Sequence, residues 1–220
     1  MIKLNNINKT FNGPKGKVIA LNDVSMSLVP GELLAVRGPS GCGKSTLLLT
    51  AAGLLKPDSG KVLYQERDNP YDLTPDKRSR LRAELIGFVF QQYHLIPYLT
   101  VKENIIMPSL TATVDDPDAL ARELIRKFGL EARIDHVPSQ LSTGERQRTA
   151  LARALFNKPK VIMADEPTGN LDDGNADIVM NHLRSYVGEG GSVLLVTHSA
   201  RSADYATRTL NMKNGSISML

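Results

Sequence analysis

The residues best suited to chemistry are concentrated in one glycine-rich segment near the start of the chain. Residues 38–45 read GPSGCGKS and fit the pattern GxxxxGK[ST]. In that pattern glycines let successive backbone N–H groups point at phosphate oxygens, lysine reaches the β and γ phosphates, and serine binds Mg²⁺. The alternative is an ordinary glycine turn. Residues 33–36 are predicted to be a buried strand and 44–55 a helix, which is the context that the pattern requires, so the sequence predicts binding of ATP or GTP.

Two carboxylates follow the apolar run 161–164 directly. Asp165 and Glu166 are therefore expected at the carboxyl end of a buried strand, where parallel sheets present ligand groups. Asp165 suits Mg²⁺, usually through water. Glu166 is placed to orient and deprotonate the water that attacks a γ-phosphate, a role worth about 10² to 10⁴ in rate. The alternative is a pair of helix-capping acids, since Pro167 and Thr168 follow, but a phosphate loop in the same chain favours catalysis.

A histidine emerges from the next apolar run, 193–196. His198 should lie at the same sheet edge as the two carboxylates. A lone histidine is more often structural than functional. At this edge, however, its side chain could hydrogen-bond the γ-phosphate and hold the attacking water and Glu166 in line, so we predict a functional role.

A second anion site is predicted where the helix 145–156 begins. Ser142 and Glu145 have the spacing of a capping box, which is a sufficient structural reason for both residues. A capped helix end with a small Ser142 and an open Gly144 backbone is also an anion site. Because the chain already has one phosphate loop, we expect this helix end to complete the nucleotide site of a neighbouring copy.

The elements that position these residues indicate a single α/β domain over residues 1–220. Short strands are predicted at 2–4, 24–28, 33–36, 61–64 and 86–90, buried strands at 161–164 and 193–196, and a terminal hairpin at 207–219. A helix should begin near Thr74 and another should span 175–187. The stretch 100–157 has helical periodicity, so we predict an inserted helical subdomain at approximately 92–158.

Composition narrows the possible partners. The net charge is +4 and the pI about 9.2, but the basic residues are dispersed, so phosphate ligands explain them and no nucleic-acid partner is predicted. No apolar run approaches the roughly 18 residues that cross a bilayer, and no signal core opens the chain. We therefore expect a cytoplasmic location. A single cysteine, Cys42, excludes an internal disulfide and a cysteine-cluster metal site.

These motifs together resemble the ABC transporter ATPase family over essentially the whole chain. The resemblance implies a P-loop NTPase core with a mostly parallel sheet, an N-terminal antiparallel β subdomain and an inserted α-helical subdomain. It implies that Phe11 stacks on adenine, that Gln91 senses Mg²⁺ and the attacking water, and that Asp172 communicates across a dimer. The catalytic residues would be Lys44, Gln91, Glu166 and His198, and the Mg²⁺ ligands Ser45, Gln91 and Asp165. The ATP-binding residues would be Phe11, Gly38, Pro39, Ser40, Gly41, Cys42, Gly43, Lys44, Ser45, Thr46, Gln91, Ser142, Gly144, Glu145, Asp172 and His198.

Two positions depart from the family pattern. Thr143 replaces the usual glycine of the LSGG signature, which adds bulk where the two subunits would approach. Phe11 stands where tyrosine is more common, and either ring can stack.

The segments 86–97 and 165–172 are similar to the branch of lipoprotein-release (LolD-like), macrolide-export (MacB-like) and cell-division (FtsE-like) ATPases.

The resemblance also implies partners. We expect a homodimer of ATPase subunits, peripheral at the cytoplasmic face of the inner membrane, that powers separate membrane-spanning permease subunits. A groove near Gln91, bordered by Tyr93, Leu95, Ile96 and Tyr98, should receive a short helix from such a subunit. A soluble ABC ATPase acting on DNA or ribosomes is the alternative; the chain lacks a long coiled-coil insertion and a second such domain. A small-molecule kinase is disfavoured by residues 141–147 and by His198.

Overall fold

Two sheets and seven helices form the part of the chain that the computed structural model describes, residues 1–13, 16–65, 69–111 and 114–219. The strands are β1 (Ile2–Gly13), β2 (Gly16–Leu28), β3 (Leu33–Arg37), β4 (Ser59–Tyr64), β5 (Ile86–Val89), β6 (Val161–Asp165), β7 (Ser192–Thr197), β8 (Arg208–Lys213) and β9 (Ser216–Met219). The helices are α1 (Lys44–Ala51), α2 (Pro75–Leu85), α3 (Val101–Ile106), α4 (Pro117–Lys127), α5 (Thr143–Leu155), α6 (Asp173–Gly188) and α7 (Ala200–Ala203).

The two sheets match the predicted fold class. A three-stranded antiparallel sheet has the order β2-β1-β4, and a six-stranded sheet has the order β5-β6-β7-β3-β8-β9. All pairs in the larger sheet are parallel except the terminal hairpin of β8 and β9. The prediction of a mostly parallel core with an N-terminal antiparallel sheet is confirmed. None of the helices in the described ranges is long and apolar enough to span a membrane.

The continuous apolar strands are explained by two separate cores, one on each face of the larger sheet. One face packs against α3, α4, α5 and α6, and its residues from β3, β6 and β7 are Leu33, Ala35, Ile162, Ala164, Val193 and Leu195. The other face packs against α1 and the antiparallel sheet, and its residues from the same three strands are Leu34, Val36, Val161, Met163, Leu194 and Val196. Side chains alternate between faces, so a strand buried on both sides must be apolar at every position.

Several element boundaries differ from the prediction. Helix α1 ends at Ala51 instead of residue 55, and Gly53 has a φ of 70°, which turns the chain out of the helix. Helix α6 begins at Asp173, two residues early, because the side chain of Asp172 accepts from the Asn175 N–H and caps it. Helices α3, α4 and α5 fall in the stretch predicted as an inserted subdomain; its limits at 92 and 158 stay a prediction.

Gly87 sets how closely α5 approaches the sheet. A Cβ at this position of β5 would strike the Ala154 carbonyl of α5, with the carbonyl carbon at 3.0 Å. Backbone atoms there cannot move aside without shifting the helix. Gly188, at the end of α6, has no atom within 4 Å of such a Cβ and no positive φ. The two glycines therefore form a matched pair, one confined and one unconstrained.

We predict that Gly87→Ala destabilises the protein by about 1 to 3 kcal/mol, because the added methyl overpacks the contact between β5 and α5. Gly188→Ala should instead stabilise it by about 0.5 to 1 kcal/mol, since alanine loses less conformational freedom on folding. Urea midpoints at constant m-value measure both changes. Equal effects of the two substitutions would contradict the close approach at Gly87.

Candidate active site

The predicted phosphate loop lies between β3 and α1, at the carboxyl end of the parallel strands. Gly41 and Gly43 have φ of 77° and 109°, in the left-handed region that favours glycine. A Cβ on Gly43 would also lie 2.8 Å from the Met212 methyl carbon and strike the Ala20 carbonyl. Position 43 therefore requires glycine both for its conformation and for the space around it.

The Lys44 amine is enclosed by oxygen atoms. Its side chain is buried, and Nζ donates to the carbonyls of Gly38 at 2.8 Å and Pro39 at 3.1 Å. The same Nζ lies 3.5 Å from Oε1 of Glu166. Phosphate oxygens would offer contacts of the same kind, so the amine is placed to exchange these oxygens for those of a nucleotide.

Cys42 contributes its backbone and its small size to the loop. Its N–H donates to the Pro39 carbonyl at 3.3 Å, and its carbonyl accepts from the Gly215 N–H at 3.0 Å. The thiol is buried in the apolar cluster beside α1 and the antiparallel sheet. Ser40 is exposed and Thr46 half-buried at the start of α1. The side chain of Cys42 is therefore part of the core.

Asp165, the last residue of β6, meets the first turn of α1. Its Oδ1 accepts a hydrogen bond from the Ser45 hydroxyl at 3.1 Å, although 120 residues separate the two in the chain. Burial raises the pKa of Asp165, and the neighbouring Glu166 adds to the shift, while the Ser45 hydrogen bond and Lys44 oppose it. Because burial removes water from this carboxylate, a cation bound nearby would stabilise its ionised form.

The donors Ser45 and Asp165 fit Mg²⁺. Both supply oxygen, which this ion prefers, and Mg²⁺ is usually held by one or two carboxylates together with substrate phosphates and water. No cluster of three or more His, Cys, Asp or Glu that could hold a metal occurs in the described ranges. The residues therefore suit an ion shared with a phosphate group, not one caged by the protein alone.

Glu166 is held in an unusual conformation beside the phosphate loop. Its φ is 46°, which is rare for a residue with a side chain and costs energy. Its N–H donates to the Val196 carbonyl at 2.9 Å, and its side chain is 11% exposed. The helix-capping alternative for Asp165 and Glu166 is wrong, because the next helix begins at Asp173 and Asp172 caps it.

Three groups of β7 and the residue after it converge on one oxygen of Glu166. Oε2 accepts from the Thr197 hydroxyl at 3.0 Å and from the His198 N–H at 3.2 Å, and it lies 2.9 Å from Nδ1 of His198. The predicted proximity of His198 and Glu166 is observed. The sequence interpretation missed Thr197, whose fully buried hydroxyl also accepts from the Ser199 N–H at 3.0 Å. Only the register of β7 against β6 could have revealed it.

Gln91 follows β5 and lies against the segment after Glu166. Its carbonyl accepts from the Asn170 side chain at 3.2 Å, and a Cβ on Gly169 would be 3.1 Å from its Nε2. Its side chain has no hydrogen bond to Ser45, Asp165 or Glu166 within the described ranges. The proposed contact of Gln91 with Mg²⁺ therefore stays a prediction.

Ser142 and Glu145 form the predicted capping box at the start of α5. The Ser142 hydroxyl accepts from the Glu145 N–H at 3.2 Å, and the Glu145 carboxylate accepts from the Ser142 N–H at 2.8 Å. Burial would raise the pKa of Glu145, but hydrogen bonds from Ser142 and Arg133 outweigh it and lower that pKa. Ser142 and Thr143 are exposed, and no hydrogen bond joins them to the phosphate loop in the described residues. The expectation of an open backbone at Gly144 is wrong for the single chain, because Gly144 is buried beneath the Asn175 side chain.

Phe11 lies on an exposed apolar face of the antiparallel sheet. It pairs with Val18, and the two residues are 41% and 56% exposed. The Lys9 amine lies 5.6 Å from the centre of the ring. An accessible ring with a neighbouring cation suits stacking on a heteroaromatic base.

Asp172 has a structural role within its own chain. Its Oδ1 accepts from the backbone N–H of Asn175 at 2.9 Å, and its Oδ2 accepts from the Asn175 side chain at 2.7 Å. These hydrogen bonds lower the pKa of Asp172. Oδ1 therefore caps α6 and Oδ2 binds the Asn175 side chain, and the communication of Asp172 across a dimer stays a prediction.

Comparison with known proteins agrees with this geometry. The family model described as ABC transporter matches residues 21–169. The lipoprotein-releasing system ATP-binding protein LolD of Novosphingobium aromaticivorans is 40% identical, over 98% of this chain and 97% of that protein. The macrolide export ATP-binding/permease protein MacB of Salmonella typhimurium is also 40% identical; the chain spans about a third of its length, 34%. A dimeric post-hydrolysis state of the ATP-binding cassette MJ0796 with ADP and Pi superposes with a TM-score of 0.91, at 35% identity, covering 100% of this chain and 99% of that one.

The chain belongs to the ABC transporter family, because the family model covers most of it and full-length relatives are about 40% identical. It is an ATPase subunit of the LolD and MacB type. The phosphate loop, the carboxylates after β6 and the histidine after β7 form its candidate catalytic centre. The predicted family and its branch are thereby confirmed.

The pKa of Asp165 yields a prediction for the protein without nucleotide. Burial raises this pKa above its ordinary value of 3.8, so ionisation of Asp165 costs stability. The cost is full above the folded-state pKa, declines as the pH falls through it, and is gone below the unfolded-state pKa of 3.8. Asp165→Asn should therefore raise Tm by a few degrees at neutral pH, and the gain should shrink as the pH approaches 3.8.

Thermal unfolding followed from about pH 4 to 8 measures this difference. Asp135→Asn, at an exposed position, is the control and should leave Tm nearly unchanged at every pH. A gain in Asp165→Asn that is independent of pH, or a loss of stability at neutral pH, would contradict the burial argument.

Proposed function

We propose that two copies of the chain enclose ATP between the phosphate loop of one and the Ser142 helix end of the other. The observation that carries the proposal is the start of α5, a capped helix N-terminus with exposed Ser142 that makes no hydrogen bond to its own phosphate loop. The ATP-binding cassette that resembles this chain was solved as a dimer with ADP and Pi. In such a pair Ser142 and Gly144 would reach the γ-phosphate held by Lys44 of the other copy.

Binding of ATP would reorganise the contacts of Lys44. Its Nζ leaves the Gly38 and Pro39 carbonyls and Glu166 for the β and γ phosphates, which frees Oε1 of Glu166. Phe11 stacks on the adenine, and backbone N–H groups of residues 40–46 surround the phosphates. Ser45 and Asp165 would hold Mg²⁺, with Gln91 as the predicted further contact, and the bound ion would supply charge neutralisation at the phosphate oxygens.

Glu166 is then the base for hydrolysis. Its carboxylate takes a proton from water as the water oxygen bonds to the γ-phosphorus, and the bond from that phosphorus to the β-bridging oxygen breaks to give ADP and inorganic phosphate. His198 and Thr197 hold the carboxylate through Oε2, and His198 keeps the water and the γ-phosphate in line. Loss of the bridging γ-phosphate releases the second copy, and that opening is the mechanical step.

A groove beside α2, β5 and α5 suits the membrane partner. Its cavity has a volume of about 290 Å³ and is lined mainly by apolar side chains, among them Ile86, Phe88 and Phe90. The predicted border residues Tyr93, Leu95, Ile96 and Tyr98 do not line this cavity; they belong to the segment beside it, whose Tyr93 carbonyl accepts from Arg153 of the cavity at 2.7 Å. The adjoining segment exposes Tyr98 by 77% and is anchored by the fully buried Asn104, which hydrogen-bonds Ile96, Leu99 and Thr100. A rigid surface with exposed aromatic residues fits a short helix from a permease subunit.

The partners follow from the relatives. LolD and MacB, named for lipoprotein release and macrolide export, support an ATPase that drives extraction, export or mechanical work through membrane-spanning subunits, from the cytoplasmic face of the inner membrane. The alternative, action on DNA or ribosomes, finds no support among these relatives. We accordingly propose membrane subunits and a second copy of the chain as its partners.

Replacing Glu166 with glutamine should trap the proposed dimer. Glutamine keeps the shape but removes the base, so ATPase turnover should fall about 10²-fold or more while ATP still binds. Glu166→Gln should elute as an ATP-dependent dimer on size-exclusion chromatography with light scattering. Glu123→Gln, on the exposed face of α4, is the control and should keep parental turnover and elute as the parent does.

Adding Ser142→Arg to Glu166→Gln should return the protein to a monomer that retains nucleotide, because the arginine clashes only with the other copy. Ser185→Arg, exposed on α6, should leave the dimer intact. A strictly monomeric Glu166→Gln at high protein and ATP concentration, or parental turnover in that variant, would overturn the two-copy site.

A negative charge at Leu95 or Tyr98, in the segment beside the groove, should separate the subunit from its membrane partner. Tyr98→Asp, or Leu95→Asp, removes an apolar anchor, so the amount of membrane subunit that co-purifies in detergent should fall at least tenfold. ATPase activity of the isolated subunit should stay within about twofold of the parent, because neither residue contacts the nucleotide site. Val29→Asp, which is exposed elsewhere, is the control. Undiminished co-purification of Tyr98→Asp would exclude the segment 93–98 as the docking surface.

A further inference from the structure

Asn175, in the first turn of α6, connects two segments that the proposed dimer presents to the other copy. Through Nδ2 and its backbone N–H it binds both carboxylate oxygens of Asp172. Through Oδ1 it accepts from Nη1 of Arg148 on α5, at 3.3 Å. One half-buried side chain therefore joins the segment before α6 to α5, the helix that Ser142 caps.

The same amide rests on Gly144. A Cβ at Gly144 would lie 2.7 Å from Cγ and 3.3 Å from Nδ2 of Asn175, and nearer still to its Oδ1. Gly144 is buried and has no positive φ, so its own conformation does not require glycine. The contact that excludes a larger residue at 144 in the single chain is the side chain of Asn175.

We propose that Asn175 is a positioning residue that makes the start of α5 and the Asp172 segment one rigid unit facing the second copy. The inference rests on the proposed two-copy site and deepens it. Ser142 and Asp172 cannot shift independently while Asn175 packs on Gly144 and binds Asp172 and Arg148. Loss of that link leaves nucleotide binding to the phosphate loop intact and weakens the step in which the second copy closes on ATP.

A double-mutant cycle between Gly144 and Asn175 tests the link. In the Glu166→Gln background, Asn175→Ala should weaken ATP-dependent dimerisation at least tenfold, measured by analytical ultracentrifugation, while ADP affinity changes less than twofold. Gly144→Ala should cost at least tenfold when Asn175 is present and clearly less in the Asn175→Ala background, because that truncation removes all three atoms that the new methyl would strike. The cost that remains in the second background measures the contact of Gly144 with the γ-phosphate of the other copy.

Two further variants separate positioning from folding. Asn181→Ala makes the same change at an exposed site of α6 and should leave dimerisation unchanged. Asn175→Asp keeps the volume and the acceptor for Arg148 but removes the side-chain donor to Asp172. It should weaken dimerisation as Asn175→Ala does. If Asn175→Ala loses ADP binding through unfolding, Asn175→Asp becomes the variant that tests the link.

The outcomes distinguish the inference from the proposed function. If Glu166→Gln dimerises with ATP but Gly144→Ala costs the same in both backgrounds, or Asn175→Asp dimerises as tightly as the parent, the link is refuted and the two-copy site stands. If Glu166→Gln itself stays monomeric with ATP, the two-copy site fails, and the inference fails with it.

Discussion

The pairing of three parallel strands is the constraint on which the site depends. In the order β6-β7-β3, Asp165 is level with Val196 and Thr197 with Arg37, so the three strands end at one edge. Burial of alternate side chains in two cores holds that register, because a slip of one residue would send every side chain to the opposite face. The phosphate loop, the two carboxylates and His198 are consequently brought together from segments up to about 160 residues apart.

The site holds several groups in states that cost stability. Asp165 is a carboxylate whose burial favours the neutral form, Glu166 has a left-handed backbone, and Lys44 is a buried cation. Each is offset by contacts with another member of the site: Ser45 with Asp165, and Lys44, Thr197 and His198 with Glu166. Such mutual dependence is typical of functional sites, where ligand contacts replace internal ones instead of adding to a relaxed structure.

Structural and functional interpretations of the same residues are compatible here. Ser142 and Glu145 form an ordinary capping box, yet that cap presents an exposed helix end to a second copy. Asp172 caps α6 with Oδ1, and its Oδ2 binds the side chain of Asn175, the residue that packs on Gly144. The geometry of the proposed interface thus comes from common helix-end interactions, connected to one another through Asn175.

The sequence by itself determined the features whose physics is local. The glycine spacing of residues 38–45, the apolar runs that became β3, β6 and β7, and the capping box at Ser142 each depend on neighbours in the chain, and each was predictable. Only the tertiary structure decided that Thr197 holds Glu166, that Lys44 meets Glu166, and that Asn175 excludes a side chain at Gly144. Those contacts join residues 31 to 122 positions apart in the chain. They depend on strand register and helix packing, and these are determined by the burial of side chains throughout the core, not by neighbours in the sequence.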